Sequence, residues 1–424
     1  HSFPTRRSFD LPYNKGDDGF CFKDAYQHAS WISMMQDRLL LSHSLLSNDG
    51  VLYASIDDVE RSHLESALRT VFGGDNRVEE VIWAQNTTKN QSPTFSTNHE
   101  YVEVFAKDLA IVKKAHAMFR EVKPGYVEIM ELMDELIQSY PTVAKLEKEL
   151  RSLFKRRKKS LTEDGVSPKD DEWKSIYNYN RCEYRNKKGE YVEEHEAKAQ
   201  QANIWVWREV DTSMPQVKQD SQKAEFRDAT HPAYRFYTPL HPVTKKPCSA
   251  PKTGWRWPKE PYGNQQNYFS KLADDNRIVW GDDETKVPQQ KSFLHEVETN
   301  VAKSVVSDYA DGEKELTHLF GKSRSFSNPK PTTLVRRFCS QAVVEDKAVL
   351  DFFAGSGTTA DAVVQLNRED GGKRKYVLIE VGDYFDTIIK PRIQKRVYSG
   401  VWKDGEPVGR DGLSHCFKYL RLES

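Results

Sequence analysis

The stretch Val349-Leu-Asp-Phe-Phe-Ala-Gly-Ser-Gly-Thr-Thr-Ala-Asp-Ala-Val-Val364 constrains the fold more than any other part of the chain. It reads as an apolar strand, a glycine turn and a helix. Gly355 and Gly357 let the backbone approach a ligand and adopt dihedrals closed to other residues. The helix opening near Thr358 aims its unbonded N–H groups toward whatever sits in the turn. Asp351, near the strand end, is placed to accept a hydrogen bond from an ammonium. A second apolar strand, KYVLIEV (375–381), carries Glu380 to the place where an acid grips ribose hydroxyls in doubly wound folds. The looser pattern Gly355-x-Gly357-x-x-Ala360 is shared by nicotinamide-dependent oxidoreductases and by tight turns that bind nothing.

The rest of the chain fits an α/β frame interrupted by a different kind of sequence. Ile32, Met35, Leu39, Leu40 and Leu46 recur at helical spacing over 25–47, and Asn48-Asp49-Gly50 stops that helix. VLYASID (51–57) is a short apolar strand. Asp58-x-x-Arg61 opens a helix through Leu64, Leu68 and Phe72, ended by Gly73-Gly74. VIWAQ (81–85) and YVEVFAK (101–107) are further strands. Residues 125–160 read as a charged helical pair. An irregular region rich in Tyr, Trp, Pro and Lys follows, with weak periodicity. The α/β pattern returns with helical segments at 332–343 and 358–367 and a strand at 348–353. A last helix holds IIKPRIQKRV (388–397), with Pro391 as its weak point, and HCFKYLRL near the end reads as an edge strand.

Composition narrows the class. Lys+Arg and Asp+Glu both total 63 in 424 residues, which argues against a purely electrostatic nucleic-acid binder while allowing a local basic groove. At roughly 100–200 residues per domain the chain holds two to four domains, or one catalytic domain with a large insertion. No apolar run approaches a membrane span, so no membrane association is expected. The start has no apolar leader segment. The five cysteines form no CxxC pair, so neither a disulfide framework nor a zinc site is expected, and no metal is assigned.

The string Asp351-Phe-Phe-Ala-Gly-Ser-Gly-Thr-Thr359 resembles the S-adenosylmethionine loop of beta-class DNA amino-methyltransferases. Phe326-Ser-Asn-Pro-Lys330-Pro331-x-x-Leu334 is similar to that family's segment leading into the methionine pocket. Asp10-Leu11-Pro12-Tyr13-Asn14 is similar to its catalytic Asp-Pro-Pro-Tyr tetrapeptide, with Leu at the first Pro position. The order, catalytic tetrapeptide first and cofactor loop last, is the beta-class order. The overall similarity is greatest to modification subunits of type III restriction–modification systems.

The resemblance implies a doubly wound, Rossmann-like α/β methyltransferase fold using S-adenosyl-L-methionine, with a large inserted target-recognition region. It implies methyl transfer to the N6 amino group of adenine in double-stranded DNA, with a second modification subunit and a restriction subunit as partners, in a bacterial or archaeal cytoplasm. The implied division is a catalytic half at 12–112, target recognition at 113–300, a cofactor half at 301–400 and a terminal strand or tail at 401–424.

Asp10 and a backbone carbonyl would accept the amine protons, Pro12 would fix the turn, and Tyr13 would stack on the extruded base. Lys330, Pro331, Asp351, Phe353, Gly355, Gly357, Thr358 and Glu380 would bind the cofactor. The residues before the tetrapeptide, HSFPTRRSF, make a poor buried strand. They also resemble translated adaptor sequence, so residues 1–11 are expected to be foreign and the chain truncated. With Asp10 in doubt, a cytosine-N4 methyltransferase and a silent cofactor- or DNA-binding subunit remain open. His99 is a candidate lining of the base pocket. The basic run 155–159 reads either as a phosphate contact or as a solvated helix end. Trp205, Trp207, Trp255 and Trp257 read as packing more than contact.

Overall fold

The computed structural model describes the backbone of 5–7, Tyr13, and residues 27–85, 94–163, 165, 167–215, 223–307, 310–343 and 346–421. The chain divides into two units, 1–121 with 301–424, and 122–300. The first boundary falls at 121/122, where the sequence placed it at 112/113.

The first unit is built on a seven-stranded sheet. Its strands are β1 (Thr5–Arg7), β2 (Val51–Ile56), β3 (Arg77–Ala84), β4 (His99–Ala106), β5 (Val305–Ser307), β6 (Ala348–Asp351) and β7 (Lys375–Leu378), in the order β5-β3-β4-β2-β1-β6-β7. β4 runs antiparallel to β2 and β3, and the other pairs are parallel. Its longer helices are α1 (Gln27–Leu45), α2 (Arg61–Phe72), α3 (Gly312–Phe320), α4 (Thr332–Ala342), α5 (Thr358–Asp370) and α6 (Ile389–Tyr398).

Sequence pattern accounts for most of this. Trp31, Met35, Leu39 and Leu46 form the buried stripe that seats α1 against Leu52, Ile56 and Phe105. β2 is apolar on nearly every residue because both its faces are covered, Val51 and Tyr53 packing in one core and Leu52, Ala54 and Ile56 in another. A second core joins Val51, Val81 and Val104 to Phe338 of α4 and Val363 of α5. Gly73 (φ +82°) ends α2, its N–H bonded to the Arg69 carbonyl.

Three local expectations are corrected. Thr5–Arg7, expected to make a poor buried strand, forms β1 between Leu52 and Ala348–Leu350. The ladder uses backbone groups only, so a side-chain pattern that disfavours a strand does not forbid one. Pro391, expected to weaken the last helix, sits in the first turn of α6, where its missing N–H has no intrahelical partner to lose. The terminal HCFKYLRL forms no strand through residue 421. Its aromatic rings pack instead, His415 stacked on Tyr376 and Tyr419 beside Phe385, so the alternation reflects side-chain docking without a backbone ladder.

The second unit carries helices Tyr126–Ile137 and Val143–Glu163 against an antiparallel sheet. Its strands lie in the order Tyr191–Val192, Arg181–Arg185, Asn203–Val210, Gln289–Phe293 and Ile278–Val279. Trp173, Tyr184 and Leu150 sit in one core, and Trp255, Trp257, Tyr237 and Phe269 in another. Trp207 is buried too. In the basic run, Arg157 pairs with Asp171 and lies over Trp173, and Lys158 lies over Tyr177. Lys155, Arg156 and Lys159 are exposed.

Candidate active site

The sheet dictates where a ligand can sit. From β1 the chain moves outward through β2, and from β6 it moves the opposite way to β7, so the order reverses between β1 and β6. Clefts of open α/β sheets form beyond the carboxyl ends of the strands at such a reversal. A cleft lies there, lined by Tyr13 after β1, Asp57 and Asp58 after β2, Gln85 after β3, Phe353 and Gly355 after β6, and Glu380 after β7. β4 runs the other way and contributes its beginning, His99 and Glu100.

One wall is a polar knot. The Tyr13 hydroxyl donates to Glu100 Oε2 at 2.7 Å. The Lys330 ammonium donates to the same oxygen and to the Tyr13 hydroxyl, both at 2.5 Å. That ammonium also lies 4.7 Å from the Tyr13 ring centroid and 5.2 Å from that of Trp83. Burial works to raise the Glu100 carboxyl, but the charge of Lys330 and the hydrogen bonds from Lys330 and Tyr13 outweigh it. The net effect holds Glu100 below the usual carboxylate range, so it stays ionised at neutral pH.

The glycine turn also lines the cleft, and the Thr358 hydroxyl at its end donates to the Lys330 carbonyl at 3.2 Å. Gly355 (φ +52°) and Gly357 (φ +80°) take left-handed dihedrals. A Cβ on Gly357 would stand 3.2 Å from Ile389 Cγ2, a tight contact at a dihedral already strained for any side chain. Asp351 is buried, its Oδ1 accepting from the Phe353 N–H at 3.1 Å and its Oδ2 from the Thr359 hydroxyl at 2.7 Å. Glu380 accepts from the N–H groups of Gly355, Val381 and Gly382 at 2.8 to 2.9 Å. Both acids therefore shape the turn. Phe326 and Tyr384 meet edge to face at 5.0 Å and give the cleft an aromatic side.

Beneath the turn lies a guanidinium that the sequence reading did not single out. Arg392 is buried, and its Nε donates to Asp361 Oδ2 at 2.8 Å. Nη1 reaches the Ser356 hydroxyl at 2.9 Å and the Thr358 hydroxyl at 3.1 Å, and Nη2 the Thr332 hydroxyl at 2.8 Å. Glu315 accepts from both the N–H and the hydroxyl of Thr332. One side chain thus ties the glycine turn, α5 and the segment after Lys330 together. Its signal was present: Arg392 falls with Ile389, Ile393 and Arg396 on one helical face, the face that is buried.

Of the residues singled out from sequence, Tyr13, Lys330, Pro331, Phe353, Gly355 and Glu380 line the cleft. Asp351, Gly357 and Thr358 support it from behind. Asp10 and Pro12 lie outside the described residues. His99 lines the cleft and is bonded to the Tyr101 hydroxyl at 2.8 Å. Glu100 and Trp83 were missed as site residues, because an acid opening a strand and a tryptophan within one carry no pattern of their own.

Residues 8–391 match the family model described as DNA methylase. The chain is similar to the EcoP15I Mod subunit of Escherichia coli, a type III restriction-modification enzyme, at 25% identity over 88% of this chain and 54% of that one. It is 26% identical to the StyLTI Mod subunit of Salmonella typhimurium, over 88% of this chain and 48% of that one. With the type II methyltransferase M.KpnI of Klebsiella pneumoniae it shares 24% identity over 88% of this chain and 73% of that one. The chain spans about half the length of the type III relatives. Among solved structures, the TTHA0409 DNA modification methylase of Thermus thermophilus, complexed with S-adenosyl-L-methionine, aligns over 93% of this chain and 88% of that one. Its TM-score is 0.36 at 11% identity. With a match that runs from before the polar knot through the glycine turn and into α6, the chain belongs to the DNA methylase family.

Proposed function

We propose that this chain is the methyltransferase portion of a site-specific DNA-modifying enzyme, acting on the N6 amino group of adenine in double-stranded DNA. The observation that carries this reading is the cleft at the sheet reversal, with Tyr13 and the glycine turn both lining it. The names of the Mod-subunit relatives favour the same reading, and that reading includes a second modification subunit and a restriction subunit as partners.

The residues present fit S-adenosyl-L-methionine. Phe326, Phe353 and Tyr384 offer an apolar side for a purine, Gly355 allows close backbone approach, and Lys330 offers a cation for a carboxylate. When bound, this group would supply an activated methyl on a sulfonium. The protein's own part is positioning. Tyr13 is held at its hydroxyl by Glu100 and Lys330, so its ring cannot swing. Lys330 lies over the ring, and the ring lines the cleft, where it would stack on an extruded base. Asp10 and a carbonyl of the tetrapeptide would accept the amine protons and turn the nitrogen lone pair into the cleft. Residues 122–300, which carry their own cores, would read the DNA target.

The test is transfer of labelled methyl to unmethylated genomic DNA, followed by digestion to nucleosides. Label in N6-methyladenine is expected. Label in N4-methylcytosine would overturn the adenine assignment. A chain that neither transfers label nor retains S-adenosyl-L-methionine would overturn the reading.

A further inference from the structure

The first turns of α1 and α2 bring together three side chains that the mechanism does not use. Glu60, the residue capping α2, is fully buried. Nδ1 of His28 lies 2.7 Å from one of its oxygens, and Nδ1 of His63 lies 2.7 Å from the other. The two imidazole rings are 5.2 Å apart between centroids. The nitrogen and oxygen atoms these residues offer all lie within 4.8 Å of one another. Both histidines are about half exposed, at 56% and 42% of the side chain, while the carboxylate they share is at 0%.

We propose that His28, Glu60 and His63 form a binding site for one first-row transition-metal dication of the zinc class. Two imidazoles and one carboxylate are a donor set that suits Zn2+, Co2+ or Ni2+ and does not suit Mg2+ or Ca2+, which require oxygen ligands. Three protein donors with two half-exposed rings leave a coordination position open to water and a path for the ion to enter. The buried carboxylate, at the start of α2, supplies the anionic donor.

The site has a structural consequence. Met34, Asp37 and Arg38 of α1, and Asp57, Asp58 and Val59 just before Glu60, line the cleft. An ion shared by His28 and the Glu60–His63 turn joins the starts of the two helices behind that wall. It is a clamp that stabilises the cleft without touching the reacting groups.

The test uses the full chain with Cys21 and Cys416 replaced by Ser, so that thiols do not compete, after removal of metal by a chelator. Zn2+ is titrated by calorimetry, and thermal unfolding is followed with Zn2+, Co2+ or Mg2+. One Zn2+ per chain is expected, with Tm raised by about 5 °C when the free ion is about a hundredfold above its Kd. Co2+ should give the visible absorption of a low-coordinate nitrogen–oxygen site, and Mg2+ should leave Tm unchanged. His28→Ala and His63→Ala, at half-exposed positions, should keep the fold and each weaken Zn2+ binding by about tenfold or more. Zn2+ binding that is unchanged in the His28→Ala/His63→Ala double variant, or no binding by the parent, overturns the proposal. An equal Tm rise with Mg2+ also overturns it, because it would show an oxygen site elsewhere.

Discussion

Glu100 is the residue whose removal separates positioning from bulk stability. Its carboxylate holds the Lys330 ammonium and the Tyr13 hydroxyl, and Lys330 is only 10% exposed. Glu100→Gln keeps the shape and loses the charge. A charge-assisted bond of this kind is worth about 1.5–3 kcal/mol, so KM for the methyl donor should rise about tenfold or more. Steady-state kinetics with both substrates varied will check this, and an unchanged KM would show that Lys330 has no part in donor binding. The sign with pH follows from the lowered Glu100 value. Stability from this group is present above the ordinary glutamate range and is lost as pH falls through its lower folded value.

Glu103 gives the opposite sign. It is buried on β4, and burial together with a hydrogen bond to Glu80 pushes its carboxyl up to about 8, against the opposing charge of Arg77. The folded state therefore holds a proton that the unfolded state releases near 4.5. Stability falls as pH rises between those values, and above about 8 the full cost is present. Glu103→Gln removes the titration, so it should raise Tm more at pH 9 than at pH 6. Thermal melts at the two pH values decide it, and an equal change at both would mean the proton is not there.

At the scale of elements, Arg392 decides whether the glycine turn is held or merely formed. Arg392→Ala leaves Asp361 buried with Arg396 as its remaining guanidinium partner, 2.9 Å away. Burial tends to raise Asp361, and the two guanidiniums outweigh it and hold it charged, so losing one of them matters. Breaking a buried pair costs about 3–5 kcal/mol, and the surviving partner places this variant near the lower end, about 3 kcal/mol, measurable by denaturant unfolding. Arg392→Lys keeps a charge beside Asp361 but cannot fork to Ser356, Thr358 and Thr332 at once. Its stability loss should be smaller, while Kd for S-adenosyl-L-methionine weakens about tenfold, as read by calorimetry. A variant that loses stability and keeps Kd would make Arg392 a core residue only.

The same element shows what sequence could and could not disclose. Periodicity placed α5 and α6, and apolar runs placed β2, β6 and β7, because a helix or strand is written in neighbouring residues. The turn between β6 and α5 was legible for the same reason: its glycines, Thr358 and Asp351 are local. The Lys330–Glu100–Tyr13 knot was not, since residues 13, 100 and 330 share no local pattern and meet only when β1, β4 and the segment before α4 reach one end of the sheet. His28, Glu60 and His63 were hidden in the same way. Glu380 lines the cleft after β7, and its partners were not foreseen, because backbone amides have no sequence signature.

At the scale of the whole molecule, the second unit carries cores of its own, and its independence can be measured. The unit of 122–300 has an apolar core around Leu146, Leu150, Tyr184 and Ile204 and an aromatic one around Trp255 and Phe269. It also buries a charged trio, Glu183 with Arg185 at 2.6 Å and Lys291 at 2.6 Å. Burial lowers Lys291 while the charge of Glu183 opposes it, so the trio is an ionic core that tolerates the loss of no single member. A segment of this size with its own cores meets the requirements of a domain. Expressed alone, residues 122–300 should unfold in one cooperative transition, and Lys291→Met in that fragment should destabilise it by about 3 kcal/mol. Circular dichroism during urea titration reads both. A gradual transition in the parent fragment would mean that its cores form only in the intact chain. A cooperative one would allow DNA binding by the fragment to be measured apart from methyl transfer by the intact chain, which tests the proposed division of target reading from chemistry.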